Sequence, residues 1–371
     1  MIYKDFKELK LSALGMGTMR LPTLDNDPNK IDEDKTLEMV KYAIDKGINY
    51  FDTAYMYHGG NSEIVMGKVL KNFPRESYYL ADKFPGFYKE TFEDVAGTFQ
   101  KQLDKCGVEY FDFYLFHNVA EGNVDDYLNE DYGLLKYCLE QKKLGRIKHL
   151  GFSAHGELPV LRKFLEKYGE HMEFCQLQIN YLDWTFQDAK TKVELMKEYN
   201  IPVWVMEPVR GGTLASIPEK HANRLKELRP NESVVAWAFR FLQTIPSVTM
   251  ILSGMSNEEQ LKQNIATFET DAVLNETEWN TILDIAKEMT NGIPCTECRY
   301  CTTRCPIGLD IPKILKCENE RLFTGHVSWR LKSLSDDKKP SACLGCRACE
   351  KVCPQNIKIS ECMKTIAETI K

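Results

Sequence analysis

The residues best suited to chemistry in this chain fall into two groups. In the first, the run Gly47-Ile48-Asn49-Tyr50-Phe51 gives way abruptly to Asp52-Thr53-Ala54-Tyr55-Met56-Tyr57. A buried strand has this look where it delivers a carboxylate and a phenol to the rim of a sheet. Two further strand-like runs end on Lys83 and His117. A phenol is a useful proton donor to a carbonyl oxygen, but its pKa of about 10 is high. A neighbouring ammonium stabilises the phenolate and is expected to lower that pKa. An aspartate beside the lysine keeps it charged and oriented, and a histidine donates a hydrogen bond to a developing oxyanion. Taken singly, each has an ordinary structural explanation: a strand-end Asp serves as a turn or cap residue, a lone His as a core partner.

The second group is cysteine. Of 13 cysteines, only Cys106, Cys138 and Cys175 precede residue 290; the other ten lie in 295–362. Without a secretion signal, such crowding points to metal binding before disulfides. Cys295, Cys298, Cys301 and Cys305-Pro306 form C-x2-C-x2-C-x3-C-P, repeated by Cys343, Cys346, Cys349 and Cys353-Pro354 after 37 residues. That is the bacterial ferredoxin spacing for two 4Fe–4S clusters. The three close thiolates of each run would hold one cluster, and the fourth reaches the other. One cluster then takes Cys295, Cys298, Cys301 and Cys353, the second Cys343, Cys346, Cys349 and Cys305. A pair of zinc sites is the competing reading, but zinc favours two C-x2-C halves separated by a long spacer. Cys317 and Cys362 fall outside both runs and read as small apolar fillers.

Elements must position these groups. Apolar runs alternate with helical patterns throughout the first 290 residues. Strands are expected at Leu11–Thr18, at a run ending on Asp52, at Tyr78–Ala81, Tyr110–Phe116, Ile147–Phe152, Phe174–Ile179, Pro202–Met206 and Val248–Leu252. Between them, helices are expected from Asp32 to Gly47 (Leu37, Val40 and Ile44 inward), from Ser62 to Lys71, from a Thr91 cap to Gly107, and at Leu134–Gly145, Leu158–Tyr168, Val193–Tyr199 and Asn231–Leu242. Eight such units over about 250 residues fit a (β/α)8 TIM barrel. A doubly wound sheet competes less well, since no Gly-x-Gly-x-x-Gly follows the first strand. Helices near 257–268 and 276–290 close the barrel domain at 1–290, and Asn291–Pro294 is the linker. Residues 291–371, with a helix at Ile311–Phe323 carrying Ile311, Ile314, Leu315 and Leu322, read as a small helical ferredoxin-like domain holding two clusters. The 371 residues carry a net charge of −6. The body is acidic and the tail mildly basic, which argues against nucleic acid as a partner. No run approaches the ~18 apolar residues of a membrane span, so the expected location is cytoplasmic.

Over residues 5–290 the chain resembles the aldo/keto reductases. The likeness rests on Phe51-Asp52-Thr53-Ala54-Tyr55-Met56-Tyr57, on Gly60-Asn61-Ser62-Glu63, and on Lys83 and His117 at successive strand ends. It implies a catalytic set of Asp52, Tyr57, Lys83 and His117, with Tyr57 as general acid, and a nicotinamide cofactor across the barrel mouth. Cofactor contacts are implied at Thr18 and Arg20 of Gly17-Thr18-Met19-Arg20, at Ser153, where Ala154 replaces the family's Asn, and at Gln176. They are implied also at Ser253, Gly254 and Asn264. Glu207 stands where an aromatic often stacks on the nicotinamide. Gly254 and Gln260 stand where NADPH-using members carry Lys and Arg. A 2′-phosphate wants such a cation, so NADH is favoured over NADPH. The whole chain is similar to a subgroup of this family with a ferredoxin-type tail.

These readings lead to an oxidoreductase acting on a small carbonyl or alcohol, with the clusters passing electrons, one at a time, to a redox partner protein. Nicotinamide passes two electrons as hydride, and a flavin that could convert between the two has no motif here. An electron carrier with the barrel as scaffold, and clusters that only brace the C-terminal region, stay open as alternatives.

Overall fold

Short apolar runs alternating with amphipathic stretches bury their strands economically as a parallel sheet with helices outside. The computed structural model has this arrangement and describes all residues except Asn291, Thr296, Glu297, Cys298, Tyr300, Pro354 and Lys371. Part of the expected linker, the ligand Cys298 and the turn residue Pro354 therefore lie outside the described residues. Two strands, β1 (Tyr3–Phe6) and β2 (Leu9–Ser12), form an antiparallel hairpin. Eight parallel strands follow: β3 (Leu14–Gly17), β4 (Tyr50–Asp52), β5 (Tyr79–Phe84), β6 (Phe111–Val119), β7 (Ile147–Ala154), β8 (Cys175–Gln178), β9 (Val203–Met206) and β10 (Val248–Gly254). They close in chain order, β10 pairing with β3, into a (β/α)8 TIM barrel.

The stretch Leu11–Thr18 is two strands, not the one expected from sequence. The chain turns at Ala13, where the Ser12 hydroxyl donates to the Leu14 carbonyl at 2.7 Å. Leu11 stays in the hairpin and Leu14–Gly17 enters the barrel. The hairpin has a purpose that the sequence did not announce. It lodges Phe6 among Phe113, His149, Phe174 and Trp204, with ring centroids 5.0–6.3 Å apart. All four lie toward the N-terminal ends of their strands, so that end is plugged and the C-terminal end is left for a site.

Helix starts follow side-chain chemistry. Asp32 caps Glu33–Asp45 by accepting from the Lys35 N–H. Its buried face is Thr36, Met39, Val40 and Ala43; Leu37 and Ile44, expected inward, are only half-buried. The helix expected from Thr91 is two, Lys89–Glu93 and Val95–Cys106. Asp94 caps the second through the Gly97 N–H, while the Thr91 hydroxyl turns back to the Tyr88 carbonyl. A helix at Glu219–Leu228 escaped the sequence reading because it buries only His221 and Leu225.

The chain divides into two compact units, Met1–Trp279 and Asn280–Lys371, the division falling within the helix Glu276–Met289. The second unit is built twice over. Arg299 and Arg347, equivalent in the two cysteine runs, are left-handed at φ 62° and 58°, as are Gly308 and Asn356 at 65° and 54°. Short 3-10 turns follow, Thr302–Arg304 and Glu350–Val352. Each run then leads into a helix, Ile311–Thr324 or Ile359–Thr369. Leu309, Ile311, Ile314 and Leu315 from one half pack in one core with Ile357, Ile359, Met363 and Ile366 from the other. Cys317 belongs to that core and Cys362 packs against it, as fillers would. Leu322, expected inward, is 54% exposed, because its turn runs past this core.

Replacing Phe6 by Ala is expected to cost about 3–5 kcal/mol, the usual range for deleting a buried phenyl. Urea unfolding followed by tryptophan fluorescence measures it, and a loss below about 1 kcal/mol would show that the hairpin does not plug the barrel.

Candidate active site

Alternation along adjacent strands decides what enters the barrel. Ala81 and Lys83 on β5 share one face, and Ala81 lies in the barrel core. Asp52 ends β4, and Lys83 lies two residues beyond the Asp52–Ala81 pairing. The Lys83 ammonium donates to Asp52 Oδ1 at 2.5 Å, to the Thr53 carbonyl at 2.7 Å and to the Tyr57 hydroxyl at 3.3 Å. Those three acceptors use its three donors. Lys83 is 0% exposed and Asp52 3%. Burial works against the ammonium, but Asp52 outweighs it and raises the Lys83 pKa to about 12. The second Asp52 oxygen accepts from Gln176 Nε2 across the barrel at 3.1 Å.

Tyr57 begins a tight turn, Tyr57–Gly60, in which His58, Gly59 and Gly60 are all left-handed. His58 is the non-glycine among them and pins the turn. Its Nε2 accepts from the Leu21 N–H at 3.2 Å, which leaves Nδ1–H to donate to the Pro28 carbonyl at 2.5 Å. Nothing in the spacing of the sequence marked this role. The Tyr57 residue is half-buried but its phenol end lies deep, and burial raises its pKa more than Lys83 lowers it. The expected acidic phenol is therefore a correction: without cofactor, Tyr57 stays a protonated donor.

His117 lies on β6 with its ring 6.1 Å from that of Tyr57, edge-on, and 5.1 Å from Phe87. Burial first, then Lys83 and His155, hold its pKa well below the usual imidazole range, so the ring is neutral. Asp52, Tyr57, Lys83 and His117 are thus brought together at the C-terminal ends of β4, β5 and β6.

The expected cofactor contacts lie just past β3, on β7, β8 and β10, and, for Asn264, on the helix Glu258–Thr267, but several side chains are occupied. Thr18 is 0% exposed and its hydroxyl is spent on the Asp52 carbonyl and the Ser62 hydroxyl, at 2.9 and 2.7 Å. Its side chain braces the strand ends. Gln176 has one N–H committed to Asp52. Ser153 accepts from the Asn118 N–H at 2.8 Å. Ser253 and Asn264 are bonded to each other at 3.2 Å. Exposed Gly254 and Arg20 adjoin, and a Cβ on Gly254 would meet the Arg20 side chain at 3.4 Å. Gln260 caps the Ser256 N–H, and Lys262 is paired with Glu258 at 2.6 Å.

In the C-terminal unit, thiols line two cavities. One has Cys295, Cys301 and Cys353 on its wall. The other has Cys305, Cys343, Cys346 and Cys349. These are the crossed sets read from the spacing, apart from Cys298. Among the described residues no three ligand side chains close on a point fit for a single ion. A multi-iron cluster makes no such demand, since each thiolate binds a different iron. The Leu309 N–H donates to Cys305 Sγ at 3.3 Å, the kind of bond that cluster sulfurs receive.

The profile of the aldo/keto reductase family matches residues 13–287, and that of a 4Fe-4S dicluster domain matches 294–358. A probable aldo-keto reductase of Glycine max is 31% identical over 212 residues, 55% of this chain, which spans little more than half (57%) of that relative. The NADH-specific methylglyoxal reductase of Escherichia coli (strain K12) is 25% identical over 305 residues, covering 70% of this chain and 90% of its own. A solved aldo-keto reductase from Bacillus halodurans, in holo form, shares the fold with a TM-score of 0.63 at 24% identity, over 77% of this chain and 96% of that one. The chain belongs to the aldo/keto reductase family of NAD(P)H-dependent oxidoreductases and carries a 4Fe–4S dicluster domain.

Proposed function

We propose that the barrel reduces the carbonyl of a small molecule, or oxidises the alcohol in reverse, with Tyr57 as proton donor. The observation that carries this is one buried ammonium, Lys83, held between the Asp52 carboxylate and the Tyr57 hydroxyl. Asp52 keeps Lys83 charged. Burial keeps Tyr57 protonated until substrate arrives. As the phenol proton moves to the carbonyl oxygen, the ammonium 3.3 Å away stabilises the phenolate left behind. Neutral His117 offers an N–H to the same oxygen without competing for the proton. When bound, a nicotinamide would supply hydride to the carbonyl carbon. Arg20, Ser153, Gly254 and the Ser253–Asn264 pair lie on the rim it would cross.

NADH is the cofactor we favour. The helix Glu258–Thr267 opens with Glu258 and Glu259, Lys262 is neutralised by Glu258, and Gln260 is used as a cap. A 2′-phosphate there would meet carboxylates and no unpaired lysine of that helix. The two thiol sets would hold one 4Fe–4S cluster each, giving one-electron transfer with a partner protein. We place the domains at 1–290 and 291–371, and the protein in the cytoplasm. No described helix is long and apolar enough to cross a membrane.

Tyr57→Phe should lower nicotinamide-linked carbonyl turnover by about 10²–10⁴-fold with iron content intact. Unchanged turnover rules out the acid. Assayed side by side, NADH should give the higher kcat/KM, and a preference for NADPH contradicts the charge argument. Asp52→Asn should cost about 3–5 kcal/mol at neutral pH by leaving a buried ammonium unpaired. Because the folded Lys83 pKa of about 12 exceeds the unfolded value of about 10.4, the pair's contribution is complete below that lower value. It fades as pH rises through the upper one. On the alkaline side the stability gap between wild type and Asp52→Asn must therefore persist until strong alkali, and a gap that closes near neutrality refutes the pairing. Cys305→Ala and Cys349→Ala should each lose about half the iron, and combined no more than half. A Cys301→Ala, Cys305→Ala protein should lose nearly all of it. The reverse pattern would mean that each cysteine run holds its own cluster.

A further inference from the structure

Asp82 sits between Ala81 and Lys83, so the alternation that sends Lys83 into the barrel sends Asp82 outward, beneath the helices. There it meets Glu63 of the helix Asn61–Leu70, and both residues are 0% exposed. Glu63 is well supplied: Gln102 Nε2 donates to one oxygen at 3.2 Å and Lys105 Nζ to the other at 2.8 Å. Asp82 Oδ1 accepts from the Lys83 backbone N–H at 2.8 Å. Asp82 Oδ2 has no donor at all, and the neighbour that its carboxyl meets is the Glu63 carboxyl. Two ionised carboxylates would leave that oxygen unsatisfied and place two like charges in a dry layer. A single proton between them removes both problems.

We propose that Asp82 and Glu63 share one buried proton, held on Asp82, so that the carboxyl directly behind Lys83 is neutral. Glu63 keeps its charge because Lys105 pairs with it. Burial, then the charge of Glu63, pushes the Asp82 carboxyl well above its ordinary range. The other groups around the pair cannot neutralise it. Cys106 on the helix Val95–Cys106 and Tyr114 on β6 are driven upward by burial and stay uncharged. Lys83 already belongs to Asp52. On the reading of Tyr57 as the acid, the proton has a purpose. It removes the Asp82 charge from behind an ammonium whose one carboxylate partner among the described residues is Asp52, so the ammonium's field still reaches Tyr57. Asp82 is thus a positioning residue, one layer behind the chemistry.

Infrared difference spectra of the intact protein at neutral pH, in water and in deuterium oxide, test this. Wild type minus Asp82→Asn should show the deuterium-sensitive carbonyl stretch of a neutral carboxylic acid. Glu63→Gln should lose the same band, because its amide can donate to Asp82 Oδ2 and let the acid ionise. Tyr57→Phe should retain it. In turnover, Glu63→Gln should move the alkaline limb of kcat/KM upward by about one pH unit, since a charge now sits behind Lys83. Asp82→Asn should leave that limb in place. A band indifferent to both substitutions, or a limb that falls in Asp82→Asn, overturns the proposal. Should Tyr57→Phe retain turnover, the acid assignment fails while the infrared result still decides the proton; either carboxyl variant suffices if the other does not fold.

Discussion

An ammonium buried in the mouth of a barrel is the constraint around which this protein is built. Lys83 has no access to water, so its three donors must find acceptors in the fold. Those acceptors come from separate pieces of chain: the end of β4, the carbonyl just after it, and the turn at Tyr57. The β4–β5 register and the left-handed turn must therefore both be right before the charge is tolerated. A chain of hydroxyls holds these pieces in step, Ser62 bonding Thr18 at 2.7 Å and Thr53 at 2.9 Å. Stability and chemistry rest on the same contacts.

Burial then sets the protonation states, and it does so differently for each partner. The phenol and the imidazole are both kept neutral, while the lysine, with a carboxylate at 2.5 Å, stays charged. An isolated lysine at such depth would lose its proton; an isolated aspartate would gain one. Asp82 is close to that second case, and Glu63, given a lysine, is not.

Much of this was legible in the sequence. The eight-fold alternation, the four strand-end residues and the paired cysteine runs are local patterns, and each survives in the structure. What was not legible depends on contacts between distant segments. The β1–β2 hairpin reads as the start of one strand until Phe6 is seen among Phe113, Phe174 and Trp204. The bond that Gln176 makes to Asp52, 124 positions away, has no local signature. The direction of the Tyr57 shift could not be read either, because it is a contest between depth and one charge, and depth is a tertiary property. In the C-terminal unit the spacing of the cysteines is itself the signal, so the crossed sets could be written down at once. The unit's doubled backbone, down to the left-handed Arg299 and Arg347, confirms the repeat.

The chemistry of the barrel turns on a neutral phenol under the influence of one lysine. The direct measurement is a titration of Tyr57 by NMR in protein labelled with ¹³C at the tyrosine Cζ, the signal assigned by its loss in Tyr57→Phe. The phenol should stay protonated through neutral pH and ionise only above about 10, and in Lys83→Met it should ionise higher still. A Tyr57 already ionised at neutral pH, or one whose titration ignores the loss of Lys83, would contradict the account.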